Sequence, residues 1–310
     1  MIVETHELVK RYGELVALDH LSLQVREGEI FGLLGPNGSG KSTSINCILS
    51  LLSYDSGEVE IFGKPMRPDA YDLKRDIGIV MQNVAVFNEL TVYENIDYFC
   101  GLYVPDKKRR RALVEEALAF VELDEFRKFY PKKLSGGLLR RLNIACGVAH
   151  KPKLIILDEP TVAVDPQSRN KILEGIEQLN KNGATIIYTS HYMEEVEQLC
   201  TQIVILDKGR VIASGTKGEL KEMITMGEKI TVETFTISAD QLQRLKQLPG
   251  VIAVEDNADR LVIKSAKETN NLPAVLDFLK DEAITFGRIY SEMPTLNDVF
   301  LEITGKQLRD

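Results

Sequence analysis

Gly35-Pro36-Asn37-Gly38-Ser39-Gly40-Lys41-Ser42-Thr43 has the residue types and spacing, G-x-x-x-x-G-K-[ST], of a loop that wraps nucleotide phosphates. The chemistry is anion binding. Glycines let backbone N–H groups converge on an anion without intervening side chains, and a following helix adds the positive end of its dipole. Lys41 can then reach the β- and γ-phosphates, and the Ser42 hydroxyl can ligate Mg²⁺. A second group suits the same chemistry. The apolar run Leu154-Ile155-Ile156-Leu157 ends in Asp158 and Glu159. Asp158 at the strand tip can hold Mg²⁺ directly or through water, and Glu159 can take a proton from water attacking the γ-phosphate. A third is Leu134-Ser135-Gly136-Gly137, where Ser135 can cap a helix and two glycines expose backbone donors, a second anion-binding helix start.

Positioning these groups requires a particular set of elements. Glu29 to Leu34 reads as a buried strand entering the loop, and Thr43 to Leu52 as the helix leaving it. Residues 2–12 and 15–25 alternate apolar and polar as an antiparallel hairpin, and Gly57 to Gly63 and Ile77 to Met81 are further strands. From about 91 to 130 the spacing is helical, as in Leu113, Ala117, Leu118, Phe120 and Val121, which predicts a helical insertion. Strand-like runs return at 154–157, 185–188 and 203–206, separated by helices. Such alternation predicts a parallel sheet covered on both faces, with ligands at the carboxyl ends of its strands.

Beyond about residue 222 the order becomes β-α-β-β-α-β. The strands are Lys229 to Ile237, Val251 to Val254, Arg260 to Lys264 and Ile284 to Tyr290; the helices are Asp240 to Leu248 and Asn271 to Lys280, and Leu296 to Ile303 closes the chain as a last helix. The expected fold class is α/β. A P-loop NTPase core combines a mostly parallel sheet with helices on both faces, an N-terminal antiparallel β region and a helical insertion; a small ferredoxin-like α+β domain follows. The expected domains are residues 1–225, with a helical subdomain at about 84–150, and an accessory domain at 226–310.

A chain of 310 residues predicts two domains, and its 44% apolar content is enough for two cores. A net charge of −8 lacks the footprint of a general nucleic-acid binder. Four scattered cysteines without a C-x-x-C pair suit ordinary burial in a reducing compartment. No apolar run approaches the ~18 residues that span a bilayer, so action on a membrane is expected to pass through a partner.

Taken in order, these motifs resemble the nucleotide-binding subunit of an ATP-binding-cassette (ABC) transporter over residues 1 to about 220. The resemblance implies ATP and Mg²⁺ as cofactors and assigns roles to further residues. Tyr12 resembles the aromatic that stacks on adenine. Gln82 resembles the glutamine that senses Mg²⁺ and the membrane partner, and His191 the histidine that contacts the γ-phosphate. Ser135-Gly136-Gly137 is similar to the family signature, and Asp165 lies in the loop that crosses to the other subunit. The implied catalytic set is Lys41, Gln82, Glu159 and His191, and the metal set is Ser42, Gln82 and Asp158. The implied assembly is a head-to-tail homodimer, or a heterodimer with a similar chain, sandwiching ATP. It works with a separate transmembrane permease, peripheral to the cytoplasmic face of a bacterial membrane, with no nucleic acid. The ending Pro294 to Gly305 and the run Ser135 to Leu142 followed by Asn143-Ile144-Ala145 resemble exporters of the drug and antibiotic type, so export of drugs, antibiotics, peptides or lipids is expected. The competing reading is a non-transport ABC ATPase acting on DNA or ribosomes; heptad arms, zinc hooks or a second phosphate loop would favour it.

Two positions depart from the family pattern. Leu138 replaces the common glutamine of the signature, removing a side-chain hydrogen bond to ribose, and Ala163 stands where glycine is frequent, which predicts a crossing loop without a φ > 0 turn. The run Lys107-Lys108-Arg109-Arg110-Arg111 is read as a solvated face, with anionic lipid contact as the sharper alternative.

Overall fold

The structure, a computed structural model, describes residues 1–234, 237–257, 259–267 and 269–305. Two compact units divide between Lys217 and Gly218.

In the first unit, β1 (Val3–Tyr12) and β2 (Leu15–Val25) form the N-terminal antiparallel hairpin. Next come β3 (Ile30–Leu34) and α1 (Lys41–Ile48), then β4 (Ser56–Ile61), β5 (Lys64–Pro65), α2 (Tyr71–Lys74) and β6 (Ile77–Val80). Helices α3 (Val92–Gly101), α4 (Lys107–Phe120) and α5 (Gly136–Val148) make up the helical insertion. The chain continues through β7 (Leu154–Asp158), α6 (Pro166–Lys181), β8 (Thr185–Ser190), α7 (Met193–Leu199), β9 (Gln202–Asp207) and β10 (Arg210–Gly215); α8 (Lys217–Glu222) starts at the boundary and runs into the second unit. One sheet has the order β2-β1-β4-β5 and the other β10-β9-β3-β8-β7-β6. All pairings in the second sheet are parallel except β10 with β9.

Register in that sheet builds the site. Leu34 lies opposite Ser190, Asp158 opposite Thr189, and Val80 opposite Leu157. The carboxyl ends of β3, β8, β7 and β6 are therefore level, and the loops holding Gly35, His191, Glu159 and Gln82 leave from one edge. The strands are continuous apolar runs because both faces are covered. Phe31, Leu33, Ile156, Ile187 and Leu206 share a buried cluster with Ile45 and Ile48 of α1. A separate cluster of Val92, Ile96, Val114, Leu118, Leu142 and Ala145 holds the helical insertion together. Each such Leu or Ile contributes about 1.5–3 kcal/mol by burial. In the charged run, Arg110 Nε reaches Asp97 Oδ1 at 2.8 Å, while Lys107, Lys108, Arg109 and Arg111 are exposed.

Helix α1 ends at Ile48, four residues before the expected Leu52, because Ser50 adopts φ 50° and turns the chain. Helix α5 lies hard against β6. A Cβ on Gly78 would sit 2.5 Å from Gly147 O, and one on Gly147 only 2.7 Å from Ile79 O and Val80 Cγ2. This contact between two glycines seats the carboxyl-terminal turn of α5 directly on β6.

The second unit contains β11 (Met226–Glu233), α9 (Ala239–Leu245), β12 (Val251–Asp256), β13 (Arg260–Ala266), α10 (Leu272–Asp281), β14 (Ile289–Glu292) and α11 (Leu296–Thr304). Its antiparallel sheet has the order β12-β13-β11-β14, in which β13 separates the two strands joined by α9. The last sheet strand starts at Ile289 rather than Ile284. Ile284 is apolar because it is buried in the helix–sheet core, not because it pairs. Residues 235–236, within the expected first strand of this unit, and 306–310 lie outside the described residues.

Gly147→Ala forces a methyl group into the α5–β6 contact. It is expected to lower stability by about 1–3 kcal/mol, read as a fall in the urea midpoint. An unchanged midpoint would contradict that close approach.

Candidate nucleotide-binding and hydrolysis site

The loop after β3 turns into α1 at Gly40, the helix N-cap, with φ 106°. Only glycine fits there, since a Cβ would lie 2.8 Å from Ala17 O on β2. The first turn of α1 has no side-chain cap and no acidic residue, leaving its N–H groups for an anion. Ser39 Oγ is buried and has no hydrogen-bond partner among the described residues. Lys41, 5% exposed, folds back so that Nζ donates to Gly35 O at 2.7 Å and Pro36 O at 3.3 Å. Burial pushes its pKa down, and the carboxylates of Glu159 and Asp158 oppose that shift. Pro36 is half-buried; Asn37, Gly38 and Ser42 are exposed beside the half-buried Thr43. Tyr12 is exposed at the tip of the β1–β2 hairpin, with Lys10 Nζ 5.3 Å from its ring centroid.

At the end of β7, Asp158 Oδ1 accepts a hydrogen bond from Thr189 Oγ1 at 2.6 Å. The same Thr189 Oγ1 accepts from the Glu159 amide at 2.9 Å. Glu159 has φ 48°, left-handed backbone that costs an L-residue about 1–2 kcal/mol. That turn brings its carboxylate, on a residue 7% exposed, among three groups from other elements. Oε1 lies 3.6 Å from Lys41 Nζ and 3.4 Å from His191 Nδ1, while Oε2 accepts from Gln82 Nε2 at 3.1 Å. The four side chains of the expected catalytic set therefore meet at one point.

Gln82 is held there through its backbone. Buried Arg140 of α5 donates from Nη1 to Met81 O at 3.1 Å and from Nη2 to Gln82 O at 2.7 Å. One turn on, Asn143 Oδ1 accepts from the Ala85 amide at 3.0 Å. Sequence reasoning did not single out Thr189 or Arg140 for these roles. Thr189 is visible in the sequence only as the residue two before His191, and Arg140 only within the exporter-like run that follows Ser135.

Ser135 caps α5, accepting from the Leu138 amide at 3.3 Å, and both Ser135 and Gly136 are exposed. Leu138 turns inward and packs on the helical cluster. Gly137 is pressed against the crossing loop, since a Cβ there would collide with Ser168 and lie 3.1 Å from Asp165 Oδ2. Asp165 caps α6 through the Ser168 amide at 2.9 Å, and that hydrogen bond holds its pKa below the ordinary 3.8. Ala163 does adopt positive φ, at 59°, contrary to the expectation that alanine would exclude such a turn. Anchors on both sides, buried Thr161 and Val164, impose the conformation. Among the described residues, no hydrogen bond or ion pair joins Ser135, Gly136 or Gly137 to Lys41, Glu159 or His191.

Residues 18–162 match the ABC transporter family model, and residues 215–304 match the C-terminal domain of DrrA1-3-like ATP-binding proteins. The chain is similar to the linearmycin resistance ATP-binding protein LnrL of Bacillus subtilis (strain 168), 37% identical over 311 residues and covering 100% of both. The chain belongs to the ABC transporter family, among its ATP-binding proteins. It is also 34% identical to Nod factor export ATP-binding protein I of Ralstonia nicotianae, over 100% of this chain and 95% of that one. Among solved structures, the ABC protein resembles the dimeric post-hydrolysis state of the ATP-binding cassette MJ0796 bound to ADP and Pi. The TM-score is 0.63 at 30% identity, covering 69% of this chain and 98% of that one. The chain is accordingly an ATPase whose ligand is adenine nucleotide. No helix among the described residues is long and apolar enough to cross a membrane.

Ala163→Gly relieves the left-handed alanine and is expected to stabilise the protein by about 1 kcal/mol, measured by urea denaturation. Equal or lower stability would show that the alanine is unstrained.

Proposed function

We propose that this ABC ATPase powers an exporter by closing a two-chain clamp on ATP, and that its own residues take the following parts. The observation that carries this reading is the convergence of Lys41, Gln82 and His191 on the Glu159 carboxylate, beside an uncapped helix start. The triphosphate takes over Lys41 from the Gly35 and Pro36 carbonyls, which frees Nζ for the β- and γ-phosphates. Gly35 to Gly40 and the first N–H groups of α1 cradle the phosphates, with Ser39, Ser42 and Thr43 at the rim, and Tyr12 stacks on the base. Glu159 is the general base toward the attacking water, and His191 holds the γ-phosphate side.

The oxygen donors Ser42 Oγ, Asp158 and the Gln82 amide fit Mg²⁺, a hard cation that is bound through one or two carboxylates and keeps several waters. Bound there, Mg²⁺ supplies charge neutralisation for the β- and γ-phosphates. Ser135 and Gly136 are exposed at the start of α5, with Gly137 packed behind them on the crossing loop. They serve the ATP of a second cassette, so two copies, or this chain and a similar one, form two composite sites. Asp165, beside Gly137, borders the same seam. The names of the relatives, linearmycin resistance and Nod factor export, support export by a permease subunit, with this chain peripheral on the cytoplasmic side.

Glu159→Gln is expected to lower kcat by ~10²–10⁴-fold while ATP remains bound and holds a dimer on size exclusion. A variant that turns over at the wild-type rate would remove Glu159 from its role. Mg-ATP at ~100 times its dissociation constant should stabilise the wild type by ~2.7 kcal/mol and leave Lys41→Ala unmoved in a thermal melt. Equal stabilisation of both would take phosphate binding away from Lys41.

A further inference from the structure

The buried carboxylate of Glu195, on α7, has no part in the chemistry above, yet it gathers groups from both segments that carry that chemistry. Its Oε2 accepts three hydroxyl hydrogen bonds: from Tyr188 at 2.6 Å, from Ser190 at 2.9 Å and from Thr161 at 2.9 Å. All four residues are buried. Thr161 stands two residues after Glu159, and Ser190 one residue before His191. On the other side, Arg169 of α6 places Nε 3.4 Å from Glu195 Oε1 and lays its guanidinium over the Tyr192 ring, 4.5 Å from the centroid. Ser190 Oγ also accepts from the Tyr192 amide at 2.9 Å, which bends the chain just past His191.

We propose that Glu195 is a positioning residue for hydrolysis, resting on the ATPase reading above. By holding Thr161 and Ser190 on one oxygen, it sets the separation between the Glu159 carboxylate and His191. The physical reason is the nature of the acceptor. A buried carboxylate is costly unless hydrogen bonds and a nearby charge compensate it; here three hydroxyls serve Oε2, and Arg169 stands beside Oε1, which accepts no hydrogen bond among the described residues. Three donors crowded on a single oxygen are favoured by the charge of a carboxylate, which makes each bond stronger than one to a neutral amide oxygen. Side chains that only packed these segments together would need no charge there. The 3.4 Å gap between His191 Nδ1 and Glu159 Oε1 spans two segments that share a β7–β8 register, Thr189 and Glu195. Thr189 ties the two strand tips to each other, while Glu195 ties the loops beyond them. Because Arg169 lies on the helix capped by Asp165, the same carboxylate links the crossing loop to the histidine side of the site.

The test is steady-state ATP hydrolysis by the full chain carrying Glu195→Gln, with Thr161→Val as a second, nearly isosteric variant. Nucleotide affinity and thermal midpoint are measured beside each. A carboxylate that positions the catalytic pair gives Glu195→Gln a kcat lowered ~10-fold or more with KM for ATP within ~2-fold of wild type. Thr161→Val shows the same pattern more weakly, and the double variant loses less than the product of the two single effects. Wild-type kcat in both folded variants overturns the proposal, as does a loss that appears only as a lower thermal midpoint or a raised KM. If Glu195→Gln does not fold, Thr161→Val decides by the same split. A wild-type chain with no ATP hydrolysis would instead overturn the ATPase reading itself.

Discussion

One carboxylate organises the first unit. The Glu159 side chain is buried, so water does little to stabilise its carboxylate there. The protein replaces that water with Lys41, Gln82 and His191, each from a different loop at the same sheet edge. It also accepts left-handed backbone at Glu159 to direct the carboxylate away from the Asp158 side chain. Two adjacent acids thereby acquire different tasks: Asp158 stays on Thr189, and Glu159 faces the three polar groups.

The rest of the unit keeps those loops level. Parallel register brings Leu34 beside Ser190 and Asp158 beside Thr189, so a one-residue slip would remove His191 from Glu159. Gln82 is not on a strand, and its placement comes from the helical insertion instead. Arg140 grips the carbonyls at 81 and 82 while the Gly78–Gly147 contact sets how close α5 can come. Because α5 also starts at Ser135, any force on that helix start is transmitted through Arg140 to the glutamine that donates to Glu159. In the proposed clamp, this path would join binding at the seam to chemistry in the pocket within a single chain.

Much of this was legible in the residues, and the reasons differ by element. The phosphate loop and the Asp158-Glu159 tip declare themselves because apolar strands, glycines and charged ends follow each other locally. The four strands of the second unit and their split order were visible in alternation. Ile284 misled because burial beneath a sheet and pairing within it select the same apolar types. Ala163 misled because a local φ preference of about 1–2 kcal/mol is smaller than the tertiary anchoring on either side of it. Glu195 and Arg140 carried no usable local signal. Their partners at 161, 188 and 190, and at 81 and 82, come together only when the sheet closes.

The central claim is that a complete site needs the phosphate loop of one copy and Ser135 of another. Mixing two inactive variants tests it most directly. Lys41→Ala spoils only the loop, and Ser135→Arg spoils only the helix start. In a two-fold clamp, each mixed pair contains one site in which both halves are intact. An equal mixture should therefore regain about one quarter of wild-type ATP hydrolysis, although neither variant hydrolyses ATP alone. A mixture as inactive as its components, or a Ser135→Arg variant that is fully active by itself, would contradict the shared site.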